Sequence, residues 1–576
     1  MQTIDNLGEY TFQALLKNTI KLFAERPALS FVEGNPISYR DFNDKINSLK
    51  QLLFELGVKP EDKVAIYSPN CPNWAVSYFA VVTMGATAVP LLPDFNENEA
   101  ASCIEHSEAN IIIAADKLFP KIEQISSLRT VINISDFSVE KGAKTVSGTA
   151  PAFKCRENDT ASIIYTSGTT GRSKGVVLTH KNLIFTAIAG QNCQRINQYG
   201  IALSILPISH VYEFTIGFLM FVLNGACIYY LESPPVPRIL LPALKKIRPH
   251  FMLTVPIVIE KIYKQKIMPA LNSSAFIKKL YSFKLGRIFL CRKAGKKLKK
   301  TFGGRLKFFG IGGSKLDPEV EQFIKDAKFP YAIGYGLTET SPLVAYSGTK
   351  GSVPGLITSC VPGVEIKLGD LDTKTGVGEL LVKGPNVMKE YYKSPELTTA
   401  AFTEDGWFKT GDLCSIDGKG RIALKGRLKN MILGAAGENI YPEDIEFVLN
   451  QHPFVSESLV IEGENTSIVA YVQLNEEKLK SAAEEGWLSG SIDMIKQNLG
   501  GLQNAIGNAV SDISNAILYK REEVLDEIKF FVNSKVNKFS KIDKIEAVEC
   551  FEKTASQKIK RHLYALRNKR AASSFN

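Results

Sequence analysis

The sequence predicts an α/β protein: a large N-terminal region of two doubly wound α/β subdomains with a small β subdomain, followed by a small C-terminal α/β domain. Three observations carry this. Amphipathic helical segments alternate with short apolar strands to about residue 350, the texture changes to short strands and turns from about Pro362, and a compact helix–strand module follows Lys429. Strictly alternating strands and helices build parallel sheets, because each crossover helix covers a sheet face.

Taken in order, TFQALLKNTIKLFAERP is amphipathic, LSFVEG reads as a strand, and YRDFNDKINSLKQLLFELG is a second amphipathic helix closed by Gly57. KVAIYSP gives another strand and NWAVSYFAVVTMGA a largely buried helix. The alternation continues from 160 to 350, interrupted by TVPIVIEKIYKQKIMP and a basic segment. VEIKLGD, GVGELLVKGP and CSIDGKGRIALKGR then mark the β-rich part. In the C-terminal module, residues from about 475 to 519 are polar, glycine-spotted and helical in pattern, which reads as an insertion on the domain surface.

Composition narrows the class. The 576 residues predict two to four domains, and 45% hydrophobic with 22% charged residues suits a soluble globular chain. Nine cysteines without a CxxC pair suggest neither a disulfide framework nor a zinc site, and fit a reducing cytoplasm. The N-terminus carries acids early and lacks a signal-peptide pattern. Phe214 to Leu231 is the most membrane-like stretch, but Asn224 and two glycines interrupt it, so it reads as a buried helix and strand. The net charge is +11, yet residues 261–315 alone hold sixteen Lys or Arg and no Asp or Glu. A one-sign run points to an anionic surface, either lipid headgroups or an acidic protein. No nucleic acid is expected, since the interleaved Phe and Leu are as readily helix core as stacking platforms.

The first chemical motif is Ser162–His180, SIIYTSGTTGRSKGVVLTH: strand, a loop of small hydroxylated and glycine residues with one lysine, then strand. Gly168, Gly171 and Gly175 let backbone N–H groups crowd an anion, hydroxyls add donors and Lys174 adds charge, which suits a polyphosphate. It is not the GxxxxGK[ST] P-loop, because Ser173 precedes Lys174, Gly175 follows it and a strand replaces the helix. The second motif, Ala332–Thr340 (AIGYGLTET), puts Glu339 where a dinucleotide fingerprint needs its third glycine. FFGIGGSKL (308–316), GWFKTGDL (406–413), GRLKN (426–430) and FEKTASQKIKR (551–561) complete the set.

Together these motifs resemble those of the adenylate-forming superfamily over nearly the whole chain, and LPISHVYEF (206–214) with TVPIVIEKIYKQKI (254–267) look most like its long-chain fatty acid–CoA ligases. The resemblance implies ATP, Mg²⁺ and CoA as the cofactor and co-substrates, a fatty acid as substrate, and a C-terminal domain (429–576) hinged at Lys429 to an AMP-binding region (1–428). It further implies that Thr166, Ser167, Gly168, Thr169, Thr170, Gly171 and Lys174 hold the nucleotide phosphates, with Thr166 and Glu339 at magnesium. Gly312, Gly313 and Ser314 would lie between adenine and acyl group; Tyr335 at the adenine, with Gly336 also in the nucleotide site; Thr338 at the phosphate; Asp412 and Arg427 at the ribose; and His210, counted with Lys558, Glu339 and Thr166 as catalytic, beside the acyl site. Lys558 matches the lysine that the small domain swings in for adenylation, but Gln557 stands where glycine normally precedes it, leaving Lys553 and Lys560 as neighbouring candidates.

The basic segment 261–315 would then meet an anionic membrane surface, placing a cytoplasmic enzyme at the inner face of a membrane, or an acyl carrier protein. An acyl–acyl-carrier-protein synthetase is the alternative enzyme, and an inactive lipid- or nucleotide-binding homologue the alternative outside catalysis.

Overall fold

A computed structural model describes residues 7–166, 173–434, 438–479, 521–554 and 559–565. The chain forms two compact units. Of the described residues, the first comprises those up to Thr410 with Ser415–Leu424; the second comprises Gly411–Cys414 and those from Lys425 onward.

Among the described residues an eight-stranded sheet runs Glu390–Tyr391, Lys174–Thr179, Thr160–Thr166, Thr87–Leu91, Lys63–Tyr67, Ile111–Ala114, Thr130–Asn133, Val139–Lys141. Its five inner strands are parallel, and the Lys174–Thr179 strand turns back antiparallel on Thr160–Thr166. The nine-stranded sheet runs Ser359–Cys360, Leu343–Ser347, Tyr331–Gly336, Phe308–Ile311, Phe251–Thr254, Ile201–Ser204, Cys227–Tyr230, Pro27–Phe31, Ile37–Ser38. The sheets therefore interleave in sequence, because Pro27–Phe31 pairs in parallel with Cys227–Tyr230 and antiparallel with Ile37–Ser38, while the strands from Lys63 to Thr179 enter the other sheet. The β-rich texture after Pro362 becomes a four-stranded sheet of Glu365–Asp372, Val377–Lys383, Phe408–Ile416 and Ile422–Arg427.

The helices follow their apolar patterns. Phe12–Phe23 starts at Thr11, whose side chain accepts the Ala14 N–H, and Tyr39–Glu55 begins with a reciprocal Ser38–Asp41 capping box, which satisfies two otherwise orphaned donors. Gly57 closes the second helix at φ 82°, a conformation glycine adopts without steric cost. In Pro72–Thr83 every side chain from Trp74 to Thr83 is buried, as its continuous apolar composition requires. Phe214–Leu231 is likewise interior: a π-helical turn (Glu213–Leu219), the short helix Met220–Leu223 and the Cys227–Tyr230 strand. Among the described residues no helix is long and apolar enough to cross a membrane.

In the second unit Val455–Glu462 pairs antiparallel with Ile468–Leu474, which pairs parallel with Lys544–Val548. Helix Pro442–Leu449 and a helix over 521–533 pack their apolar faces onto this sheet through Ile445, Leu449, Val524, Ile528 and Val532. Most of the expected insertion, from 480 on, lies outside the described residues.

The basic interruption forms two consecutive helices, Ala275–Ser282 and Lys284–Thr301. Of its apolar residues, Cys291 and Leu298 enter the core, but Phe276, Phe283, Leu285 and Phe289 face solvent, so the expectation that its Phe and Leu are as readily core holds for only part of the segment.

Candidate active site

The Thr160–Thr166 and Lys174–Thr179 strands form a hairpin in which Thr166 and Lys174 are direct partners. The two strands therefore bring the ends of the first motif together, and the loop between them starts and finishes at one edge. Ser167, Gly168, Thr169, Thr170 and Gly171 lie outside the described residues. Gly175 belongs to the strand instead of the loop: a Cβ there would come within 2.9 Å of Ile163 Cγ2 and 3.3 Å of Tyr392 Cβ, so its missing side chain serves packing. This corrects its assignment to the anion cradle.

After the second strand, Thr179 caps helix His180–Ala189 reciprocally with Asn182. Asn182 also donates through Nδ2 to the carbonyls of Pro385 (2.8 Å) and Val387 (2.9 Å). The strap after the Val377–Lys383 strand is thereby tied down, and its Glu390–Tyr391 end pairs with Val176 and Val177. The Met388 N–H donates to the Glu339 carbonyl at 2.7 Å, so the same strap also holds the second motif. Asn386, fully buried, donates to the carbonyls of Thr340 (3.3 Å) and Leu343 (2.9 Å).

These contacts bring the two motifs to one side chain. The Tyr391 hydroxyl donates to Glu339 Oε1 at 2.8 Å, while Lys174 Nζ lies 5.0 Å from the centre of the Tyr391 ring, a cation–π distance. A lysine and one carboxylate thus meet on one tyrosine, and Thr166, the strand partner of Lys174, adds a hydroxyl-bearing residue to the same hairpin. That donor set fits a magnesium polyphosphate, in which the ion takes one or two carboxylates and completes its shell with phosphate oxygens and water.

Tyr335 and Gly336 end the Tyr331–Gly336 strand, and Thr338 and Glu339 occupy the 3-10 turn Thr338–Thr340 that follows. Gly336 is obligatory, since a Cβ would lie 1.6 Å from the Pro342 carbonyl oxygen. Gly312, Gly313 and Ser314 leave the end of the neighbouring Phe308–Ile311 strand, and Gly313 turns the chain at φ 91°. A Cβ on Gly312 would come within 3.0 Å of the Tyr212 ring, so the room that glycine provides there is already used by this chain's own tyrosine.

His210 stands just before the π-helical turn, with Nδ1 accepting the Tyr212 N–H at 3.2 Å, which leaves the ring's proton on Nε2. A small apolar cavity lies between that turn and the sheet, lined by Leu203, Ile216, Met220, Phe221, Leu253 and Phe308 among others. Glu213 is the acidic group in its wall. Burial pushes its carboxyl up to about 8 against an opposing Ser204 hydrogen bond, and Oε2 has no hydrogen-bond partner among the described residues. A carboxyl so placed is protonated at neutral pH.

The second unit holds the remaining residues. Asp412, 8% exposed, pairs with Arg427 Nε at 2.7 Å. Lys429 follows in the turn Leu428–Asn430 and is exposed. Lys558 and Gln557 lie outside the described residues, but both flanks are fixed. Lys553 and Ile559 form an antiparallel bridge, and Arg561 grips Glu446 through 2.5 and 2.6 Å contacts while donating to the Val460 carbonyl at 3.0 Å. Lys553 is engaged by Glu457 at 2.8 Å.

Sequence reasoning missed Tyr391, Asn182, Asn386 and Glu213. KEYYKSP carries no local signal, because the role of Tyr391 arises from pairing with a strand over two hundred residues earlier.

Comparison with known proteins gives a consistent picture. The family model for AMP-binding enzyme matches residues 16–392. The chain is 31% identical over 481 residues to long-chain-fatty-acid–CoA ligase FadD15 of Mycobacterium bovis, covering 76% of each chain. It is 31% identical over 483 residues to the peroxisomal long chain acyl-CoA synthetase 7 of Arabidopsis thaliana, covering 76% of this chain and 68% of that one. Among solved structures, o-succinylbenzoate coenzyme A synthetase (MenE) of Bacillus subtilis, in complex with ATP and magnesium ion, shares the fold at a TM-score of 0.72 and 21% identity, over 95% of this chain and 98% of that one.

Proposed function

The chain belongs to the AMP-binding enzyme family, and on that premise we propose that it is a long-chain fatty acid–CoA ligase. The observation that carries the proposal is the convergence of Lys174 and Glu339 on Tyr391, in the same unit as a small apolar cavity lined by Glu213, Ile216 and Phe221. Relatives named as long-chain ligases supply the acyl class.

On this reading a carboxylate oxygen of the fatty acid attacks the α-phosphorus of ATP. The bond to the β-phosphate breaks, and acyl-AMP and pyrophosphate form. The thiol sulfur of CoA then attacks the acyl carbonyl, its proton is lost, and AMP leaves. An anion attacking an anion needs charge neutralisation, and preorganised contacts of this kind are worth a few kcal/mol each, about 3, in the transition state. Lys174 and the loop donors bind the phosphates, Thr338 adds a hydroxyl, Tyr335 stacks on the adenine, and Asp412 with Arg427 takes the ribose hydroxyls. When bound at Glu339 and Thr166, Mg²⁺ supplies further neutralisation of phosphate charge. Tyr391 orients both Glu339 and Lys174.

Lys558 is the adenylation lysine in this account. The engagement of Lys553 by Glu457 supports that register, because a lysine committed to a structural ion pair is not available to swing. The hinge is Lys429, between an AMP-binding region of residues 1–428 and a mobile domain of 429–576. The segment 261–315 gives a cytoplasmic enzyme its contact with an anionic partner, a membrane surface or a carrier protein.

The test is the acceptor. With ATP, Mg²⁺ and a long-chain fatty acid, addition of CoA should yield acyl-CoA and AMP. Acyl transfer to acyl carrier protein with none to CoA would replace this reading by the carrier-protein synthetase, and absence of pyrophosphate release with any fatty acid would leave a binding protein.

A further inference from the structure

We propose that the two-helix tip formed by Ala275–Ser282 and Lys284–Thr301 inserts apolar side chains into an anionic lipid bilayer; the proposal rests on the fatty-acid reading above only for its purpose, and commits the basic segment to lipid over carrier protein. Four large apolar residues of the tip are mostly exposed: Phe276 is 75% exposed, Phe283 61%, Leu285 84% and Phe289 63%. Scattered exposed hydrophobics are ordinary, but four within fourteen residues, flanked by cations and no acids, form a patch of the kind that marks an interaction site.

The second helix has two distinct faces. Gly286, Cys291, Gly295 and Leu298 are buried, and Gly295 brings the backbone so close to the end of helix Pro318–Asp326 that a Cβ would stand 2.7 Å from Ala327 Cβ. Arg287 ties this face down through Asp326 at 2.9 Å. On the outward face Leu285, Phe289, Lys293, Lys296 and Lys300 follow at helical spacing, apolar at the tip and cationic along the shaft. Gly286 fixes the angle of the tip, since a Cβ there would meet the Leu280 carbonyl oxygen at 2.1 Å. This is the order an interfacial anchor needs: apolar groups reach the acyl boundary while lysines remain at headgroup level.

An acidic carrier protein would satisfy the lysines but leave Phe276, Phe283 and Leu285 without a role. A bilayer satisfies both. The inner face of the same helix shares a hydrophobic core with Leu203 and Met252, which line the apolar cavity, so the tip is rigidly joined to the part of the unit that would receive a lipid-dissolved substrate.

The experiment is cosedimentation of the full chain with phosphatidylcholine vesicles, with and without phosphatidylglycerol. Wild type should bind the anionic vesicles more tightly, and less so as salt rises. Leu285→Glu with Phe289→Glu should weaken binding by about tenfold per residue, the scale for losing a buried Leu or Phe side chain. Lys293→Gln, Lys296→Gln and Lys300→Gln together should weaken it by about fivefold per lysine. Phe289→Trp should add a blue-shifted emission component with anionic vesicles only. Both variant sets should retain pyrophosphate release on detergent-dispersed fatty acid, which separates failure of docking from failure of the ligase reading. Equal binding to neutral and anionic vesicles, undiminished binding by the Leu285→Glu, Phe289→Glu variant, or lysine-dependent binding to acyl carrier protein without lipid binding would overturn the proposal.

Discussion

Tyr391 stands between Lys174 and Glu339, donating its hydroxyl to the carboxylate at 2.8 Å and presenting its ring to the ammonium at 5.0 Å. It therefore sets the positions of a cation and an anion that come from motifs more than 160 residues apart. Tyr391→Phe removes the hydrogen bond and keeps the ring. A hydrogen bond to a charged group is worth about 1.5–3 kcal/mol, so kcat for adenylation should fall by roughly tenfold to a hundredfold with little change in fatty acid KM. Tyr391→Ala should fall further and lower Tm, which thermal unfolding will register. Equal kcat for wild type and Tyr391→Phe would remove the positioning role.

Asp412 and Arg427 form a pair in the second unit. Asp412→Ala should weaken AMP binding by about tenfold or more through loss of acceptors for the ribose hydroxyls, as read by calorimetric titration with AMP. Deoxygenated AMP lacking the 2′-hydroxyl should then show a smaller difference between wild type and variant. Unchanged AMP affinity would move the ribose site elsewhere.

Glu213 predicts a pH dependence of stability. Its folded-state carboxyl is raised to about 8 by burial, above its ordinary value, so between the two the folded state binds one more proton than the unfolded state. The stability it contributes is present at low pH and is lost as pH rises toward 8, at up to about 1.4 kcal/mol per pH unit. Glu213→Gln keeps the shape without the titration. Denaturant unfolding across this window should show a flatter profile for the variant, and parallel profiles would contradict the buried neutral acid.

Lys558→Ala should slow acyl-AMP formation by roughly 10² or more, the scale for removing one preorganised donor, while sparing thioester formation from supplied acyl-AMP. Half-reaction kinetics on Lys553→Ala and Lys560→Ala decide the register. A selective adenylation defect in either of those, or equal slowing of both half-reactions in Lys558→Ala, would reassign the lysine.

Much of this was legible in the sequence because the chemistry is local. The hairpin around the phosphate loop announces itself by two β-branched runs bracketing glycines, and Glu339 by occupying a glycine position. The contributions of Tyr391, Asn182 and Asn386 were not legible, since each depends on a strap whose partners are distant in the chain. The pairing of Pro27–Phe31 with Cys227–Tyr230 escaped for the same reason. The one-sign charge of 261–315 was plain, but which of its apolar residues face water depends on how Gly286 and Gly295 seat the helices. Glu213 looked like any residue of an apolar run until burial gave it a proton.

The most direct measurement is fatty-acid-dependent release of pyrophosphate from ATP in the presence of Mg²⁺, for wild type and Glu339→Ala side by side. The account predicts release by wild type only when a long-chain fatty acid is present, and its abolition in Glu339→Ala with folding intact by circular dichroism. Near wild-type turnover in Glu339→Ala, or release by wild type that is indifferent to the fatty acid, would contradict it.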